Sequence, residues 1–195
     1  MADGELEQEH DQDTDFLGGP LFKEAGALVP TLEVYDAGLR RGAQAVGYRE
    51  AAETLIEMII GKQYPTSRAL LHPLLFLYRH SVELRLKRLI EDYGTSGPST
   101  RHELRILWPA CKEIIARYTT GTEIDKAGKL IEELRDVDDS SQTFRYATTK
   151  QGAPIEIPFD VVDLVNLRKQ MNDLDTFFFG LEAEMAEALR NVGQG

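Results

Sequence analysis

Arg79, Glu83 and Lys87 stand at four-residue intervals in this chain. On a helix, residues four apart are neighbours, so the three would form one column with the acid between two bases. At about 100° per residue, Leu75, Tyr78, Val82, Leu86, Leu89 and Tyr93 form an apolar stripe. The column lies on its margin, between Phe76 and Ile90. Charges at such a margin are partly covered by neighbouring helices and must pair to offset desolvation. The column reads either as a structural clasp or as a binding or catalytic set; ion-pair networks and functional sites share this pattern. Arg85, Arg88 and Asp92 point away from the stripe and read as ordinary surface.

Imidazoles and guanidinia near the column extend the chemistry. His80 lies beside it, turned further from the stripe. His102 opens the next helix after a Gly-rich loop long enough for an antiparallel return, which brings it towards Lys87 or Glu91. A histidine there can be a capping or packing residue, or a proton-transfer group titrating near neutrality. Asp138, Asp139 and Ser140 end a later helix, and Phe144-Arg145-Tyr146 follows. Asp139 and Arg145 are placed to complete a polar pocket against the column. The four histidines, His10, His72, His80 and His102, lack metal-ligand spacing, so neither metal nor cofactor is expected. There is no phosphate-binding Gly-x-x-x-x-Gly-Lys, no His-Glu-x-x-His and no Gly-x-Ser-x-Gly. Cys111, the single cysteine, sits in a helical pattern near Trp108 and Ile114 and reads as a packed thiol.

These groups need helices to hold them. Tyr48, Ala52, Leu55, Ile56 and Ile59 recur at helical spacing, with Gly61 a natural stop. Upstream, Gly26, Pro30, Gly38 and Gly42 interrupt residues 21–45. Thr66 or Ser67 can cap the next helix, which runs to about Tyr93 with Pro73 as a kink or a second start. Further helices are expected over His102–Tyr118, with a kink at Pro109, and over Glu123–Asp138. Residues 143–157 alternate around Gln151-Gly152, which predicts a small β-hairpin or a loop. In the last helix, about 160–190, Leu164, Leu167, Met171, Leu174, Phe178, Leu181, Met185 and Ala188 form a heptad stripe. It must pack on another helix, in the same chain or in a second copy. The expectation is an all-α bundle of four to five up-down helices. Residues 1–20 read as an acidic disordered tail and 21–195 as one domain.

Charge and size bound the function. The 195 residues carry a net charge of −11, which argues against a protein that simply coats nucleic acid. Seven acids without a base fall within residues 1–15, leaving only −4 for the rest. Between Arg79 and Arg105 six basic residues outnumber four acidic ones, so RNA or an acidic partner could dock there. No apolar run approaches a membrane span. The N-terminus is no secretory signal. A cytoplasmic protein without membrane contact is expected.

The run from Phe76 through Tyr78-Arg79-His80, Glu83 and Lys87, then a Gly-rich loop and His102-Glu103-Leu104, resembles the core of the HEPN superfamily. Tyr48–Ile59 is similar to the helix before that core, and Phe144-Arg145-Tyr146 to a segment of prokaryotic relatives. The resemblance spans roughly residues 45–150. It implies a four- or five-helix bundle, often dimeric, in toxin–antitoxin, phage-defence or RNA-processing settings. Active relatives are metal-independent ribonucleases with an Arg-x4–6-His motif. No histidine here has an arginine at that distance: Arg79 and His80 are adjacent, and Arg68 to His72 is one residue short.

Two functions follow. The first is a non-catalytic HEPN-like module binding RNA, a nucleotide or a protein partner through Arg79, Glu83, Lys87, Asp139 and Arg145. The second is a ribonuclease with displaced residues, His80 or His102 acting as base and Arg79, Lys87 or Arg145 stabilising the phosphorane charge. The missing spacing favours the first. A third reading is a scaffold that dimerises through helix 160–190 or the central helix.

Overall fold

A computed structural model describes residues 37–61, 67–95 and 99–192. They form five helices: α1 (Ala37–Ile60), α2 (Ser67–Tyr93), α3 (Leu104–Ile115), α4 (Thr122–Asp138) and α5 (Leu164–Val192). The fold is all-α, as the periodicities require. Among the described residues no helix is long and apolar enough to cross a membrane. The acidic segment 1–20 and the cap candidate Thr66 lie outside what is described, and α2 begins at the other candidate, Ser67.

α2 is the centre and touches the other four helices. Its stripe is buried, with Tyr78 and Leu86 at 0% exposure, and the opposite side is buried as well through Leu74, Ser81 and Leu84. A helix covered all round is normally apolar throughout. Here the polar column replaces part of that apolar surface. α1 runs antiparallel to α2: Tyr48 meets His80, and Tyr78 donates from its hydroxyl to Glu53 at 2.7 Å. α1 starts eleven residues before Tyr48 and runs through Gly38 and Gly42. The glycines that suggested an interruption are absorbed because α1 packs on α2 along its length; Gly42 leaves room for the Arg88 guanidinium.

α2 ends at Gly94, whose amide donates to the Ile90 carbonyl at 2.9 Å. A Cβ there would lie 2.4 Å from that same oxygen, so only glycine fits this close approach. The return towards the middle of α2 is made by the connection itself. α3 then advances alongside α2, with the Cys111 thiol donating to the Leu86 carbonyl at 3.3 Å. Burial pushes that thiol up from its ordinary pKa, so it stays protonated. α4 packs on α3 where Gly128 faces the Trp108 indole. Pro73 and Pro109 stay inside α2 and α3. Both are exposed, so water can reach the carbonyls they leave unpaired.

The heptad stripe of α5 is used within the chain. Met171, Leu174, Phe178, Leu181 and Met185 are buried in the common core. That stripe is therefore not free to pair two copies, nor is the enclosed central helix. Arg85 departs from its reading as surface. It bridges to Asp175 and Glu182 of α5 and lies 5.9 Å from the Phe178 ring centroid. Residues 143–157 form no strands. A single antiparallel bridge joins Thr148 to Pro154 around a turn with Gly152 at φ 84°. Pro154 and Pro158 remove donors from one side, and residues 145–154 are exposed with no layer to cover them.

Candidate functional site

Arg79 is a 0%-exposed guanidinium at the middle of α2. Its Nε donates to the Asp138 carbonyl at 3.0 Å and its Nη2 to the carbonyls of His102 and Asp139 at 2.6 and 2.7 Å. Its Nη1 donates to Glu83 Oε2. The carbonyls of Asp138 and Asp139 are orphan acceptors at the C-terminal end of α4, where the helix dipole is negative. A buried cation suits that position. One side chain thus ties α2, the chain entering α3 and the end of α4.

Glu83 is equally buried. Its Oε1 accepts from Lys87 Nζ at 2.8 Å and lies 2.7 Å from His102 Nδ1. Burial alone would raise its pKa. The nearby His80 ring, the Lys87 ammonium and the Arg79 guanidinium outweigh burial and hold the carboxyl far below the usual range. An ionised carboxylate only accepts, so the 2.7 Å contact places a proton on His102 Nδ1. Lys87 Nζ, 3.3 Å from that same nitrogen, then has no lone pair to bond there.

His102 is the member of this cluster that reaches solvent, with a side chain 61% exposed. Glu83 fixes its tautomer and turns Nε2 outward, as a carboxylate does for a general-base histidine. His80 also faces Glu83, its Nδ1 3.8 Å from Oε2, too far for a hydrogen bond. That ring is packed instead, stacked on Phe76 at 5.3 Å and met edge-on by Tyr48 at 4.5 Å.

Asp139 does not line a pocket. Its Oδ1 accepts the Arg105 amide at 2.9 Å and its other oxygen pairs with the Arg105 guanidinium. It caps α3 from another helix, a role Glu103 leaves open because its side chain makes no cap bond. Arg145 is exposed and makes no bond to the column; it donates to the Tyr146 hydroxyl at 2.7 Å. Asp138, which the sequence marks only as a helix end, proves central. Its buried carboxylate accepts the amides of Gln142 and Thr143 at 2.7 and 3.1 Å. The cue was the Asp-Asp-Ser end of a helix followed by a polar turn. The Tyr78–Glu53–Arg168 link, 2.9 Å on its arginine side, has no such cue. It joins α1, α2 and α5, and no local pattern announces it.

A cavity of about 820 Å³ opens between α4 and α5 and contains none of these residues. No cluster that could hold a metal ion occurs among the described residues. No protein-family model matches the chain, and no curated protein or solved structure matches it significantly.

The depressed Glu83 pKa has a consequence in acid. Stability that depends on the charged carboxylate is complete above its ordinary value of 4.5 and is lost as pH falls towards the folded value. The urea midpoint of the wild type is expected to drop more steeply below that pH than the midpoint of Glu83→Gln. Parallel acid limbs for the two proteins would show that Glu83 is not the carboxylate concerned.

Proposed function

We propose that this chain is a HEPN-like helical protein that binds RNA or a nucleotide without cleaving it. The observation that carries this reading is the closure of the column. Arg79 and Glu83 have no exposed surface, and their polar atoms are taken by protein partners. They position other groups and cannot themselves touch a phosphate. The groups left at the surface around them are His102, Arg101, Arg105 and Arg145. Arg101 and Arg105 are paired there with Glu103 and Asp139, and Arg145, without a carboxylate partner among the described residues, is the cation of this rim that best suits a phosphate-bearing ligand. The all-α five-helix fold is of the kind the family resemblance implies, and it supports that assignment. A toxin–antitoxin or phage-defence setting comes with the resemblance.

One observation favours the ribonuclease as a second reading. Glu83 takes the Nδ1 side of His102, so Nε2 is the ring nitrogen left to face a 2′-hydroxyl. Of the three cations named for charge stabilisation, Arg79 and Lys87 do not follow it outward, since Glu83 holds them, and the exposed Arg145 makes its hydrogen bonds to Ser141 and Tyr146, not to His102. For that reason the binding reading stands first.

Incubation with total RNA and tRNA in EDTA, followed on native and denaturing gels, separates the two. Intact RNA that shifts with the protein is the expected result. Cleavage that disappears in His102→Ala would replace the binding reading with the enzymatic one. RNA neither shifted nor cut would overturn both.

A further inference from the structure

The turn after α4 is built to hold two exposed side chains in place. Asp138 gathers the amides of Gln142, Thr143 and Phe144, and the Phe144 ring is buried as an anchor. Ser141 takes a φ of 62°, a left-handed conformation that side chains other than glycine and asparagine rarely adopt. From α2, Arg79 grips the carbonyls of Asp138 and Asp139. What this ordered turn presents to water is Arg145 and Tyr146, the latter 47% exposed.

The Arg145 guanidinium lies 4.9 Å from the Tyr146 ring centroid and 5.9 Å from that of Phe76. Phe76 continues the stack to His80 with the two rings 13° from parallel. Arg85, Arg101 and Arg105 all pair with carboxylates; among the described residues Arg145 has no such partner. The result is a planar cation with no carboxylate partner among the described residues, propped on aromatic faces beside a half-exposed ring. Guanidinium groups bind phosphate through a planar fork, and exposed aromatic rings take unpaired bases by stacking. A duplex hides those base faces, so the arrangement selects single strands.

We infer that Arg145 and Tyr146 hold one unpaired nucleotide of single-stranded RNA, its phosphate on the guanidinium and its base on the tyrosine ring. This rests on the nucleic-acid reading above and adds the strand form and the contact residues.

The test is fluorescence anisotropy of the full chain with a short labelled single-stranded RNA, and with the same RNA annealed into a duplex. Tyr146→Leu is expected to weaken single-strand binding about tenfold, the scale of one lost base stack. Arg145→Lys keeps the charge but loses the planar fork, and a loss of about threefold or more is expected. Arg117→Gln, which removes an exposed guanidinium elsewhere, should change affinity by less than about twofold. Thermal melting of each variant shows whether it is folded. Wild-type binding that Tyr146→Leu and Arg145→Lys leave unchanged overturns the inference while the nucleic-acid reading survives. Equal loss in Arg117→Gln, or duplex bound as well as single strand, overturns it in the same way. A wild type that binds no RNA removes the reading and this inference with it.

Discussion

Glu83→Gln is expected to lower the unfolding free energy by about 3–5 kcal/mol, the usual cost of leaving a buried charge without its partner. Urea unfolding at pH 7 measures it. Arg79, Lys87 and His102 all present donors to the two oxygens of Glu83. Glutamine keeps the shape but offers one oxygen and one NH2 group, so at least one donor would face another donor. Lys87 suffers most. Its side chain is 10% exposed, and Glu83 is the acceptor of its ammonium. With native stabilities of only about 5–15 kcal/mol, the loss should be plain in any denaturation curve. A change below about 1 kcal/mol, the scale of an exposed pair, would mean that the column is open to water, and the binding reading would lose the closure it rests on.

Arg79→Lys should cost about 3 kcal/mol or more while keeping the positive charge. The guanidinium serves three carbonyls and one carboxylate on three chain segments. A lysine ammonium has three donors on a narrower head and cannot span those acceptors. The Asp139 carbonyl keeps the Leu104 amide, but the carbonyls of Asp138 and His102 would compete with Glu83 for the shorter head, and an orphaned buried acceptor costs about 1–3 kcal/mol. The damage should also be local in a recognisable way. Amides of Gln142, Thr143 and Arg105 are tied to Asp138 and Asp139, so they should exchange with solvent faster in the variant, while amides of the α5 core should follow global stability alone. Uniform acceleration across the chain would show that Arg79 contributes to general packing and does not position the His102 segment and the turn.

Both expectations concern residues that the sequence placed on one helix margin. That much was legible because the spacing of Arg79, Glu83 and Lys87 depends only on helical geometry within two turns. The reach of His102 to this column was also legible, from loop length. The role of Asp139 was not. Its carboxylate faces Arg105 and the start of α3, and only its backbone meets Arg79. Arg85 departs from its sequence reading for the same kind of reason. Its partners, Asp175 and Glu182, lie on a helix some ninety residues further on, and a helical wheel of α2 alone cannot show a second helix covering that side.

By itself, then, the sequence determined a bundle of four to five helices, the approximate spans of all but the first half of α1, the heptad stripe of α5 and the column. Apolar periodicity is local, and each helix needs only its own residues to display it. Tertiary structure decided which charges are sealed, which histidine reaches water, and that the stripe packs within the chain. Those outcomes depend on contacts such as Arg79 with Asp138, Glu83 with His102 and Arg85 with Asp175, which form only when distant helices pack together.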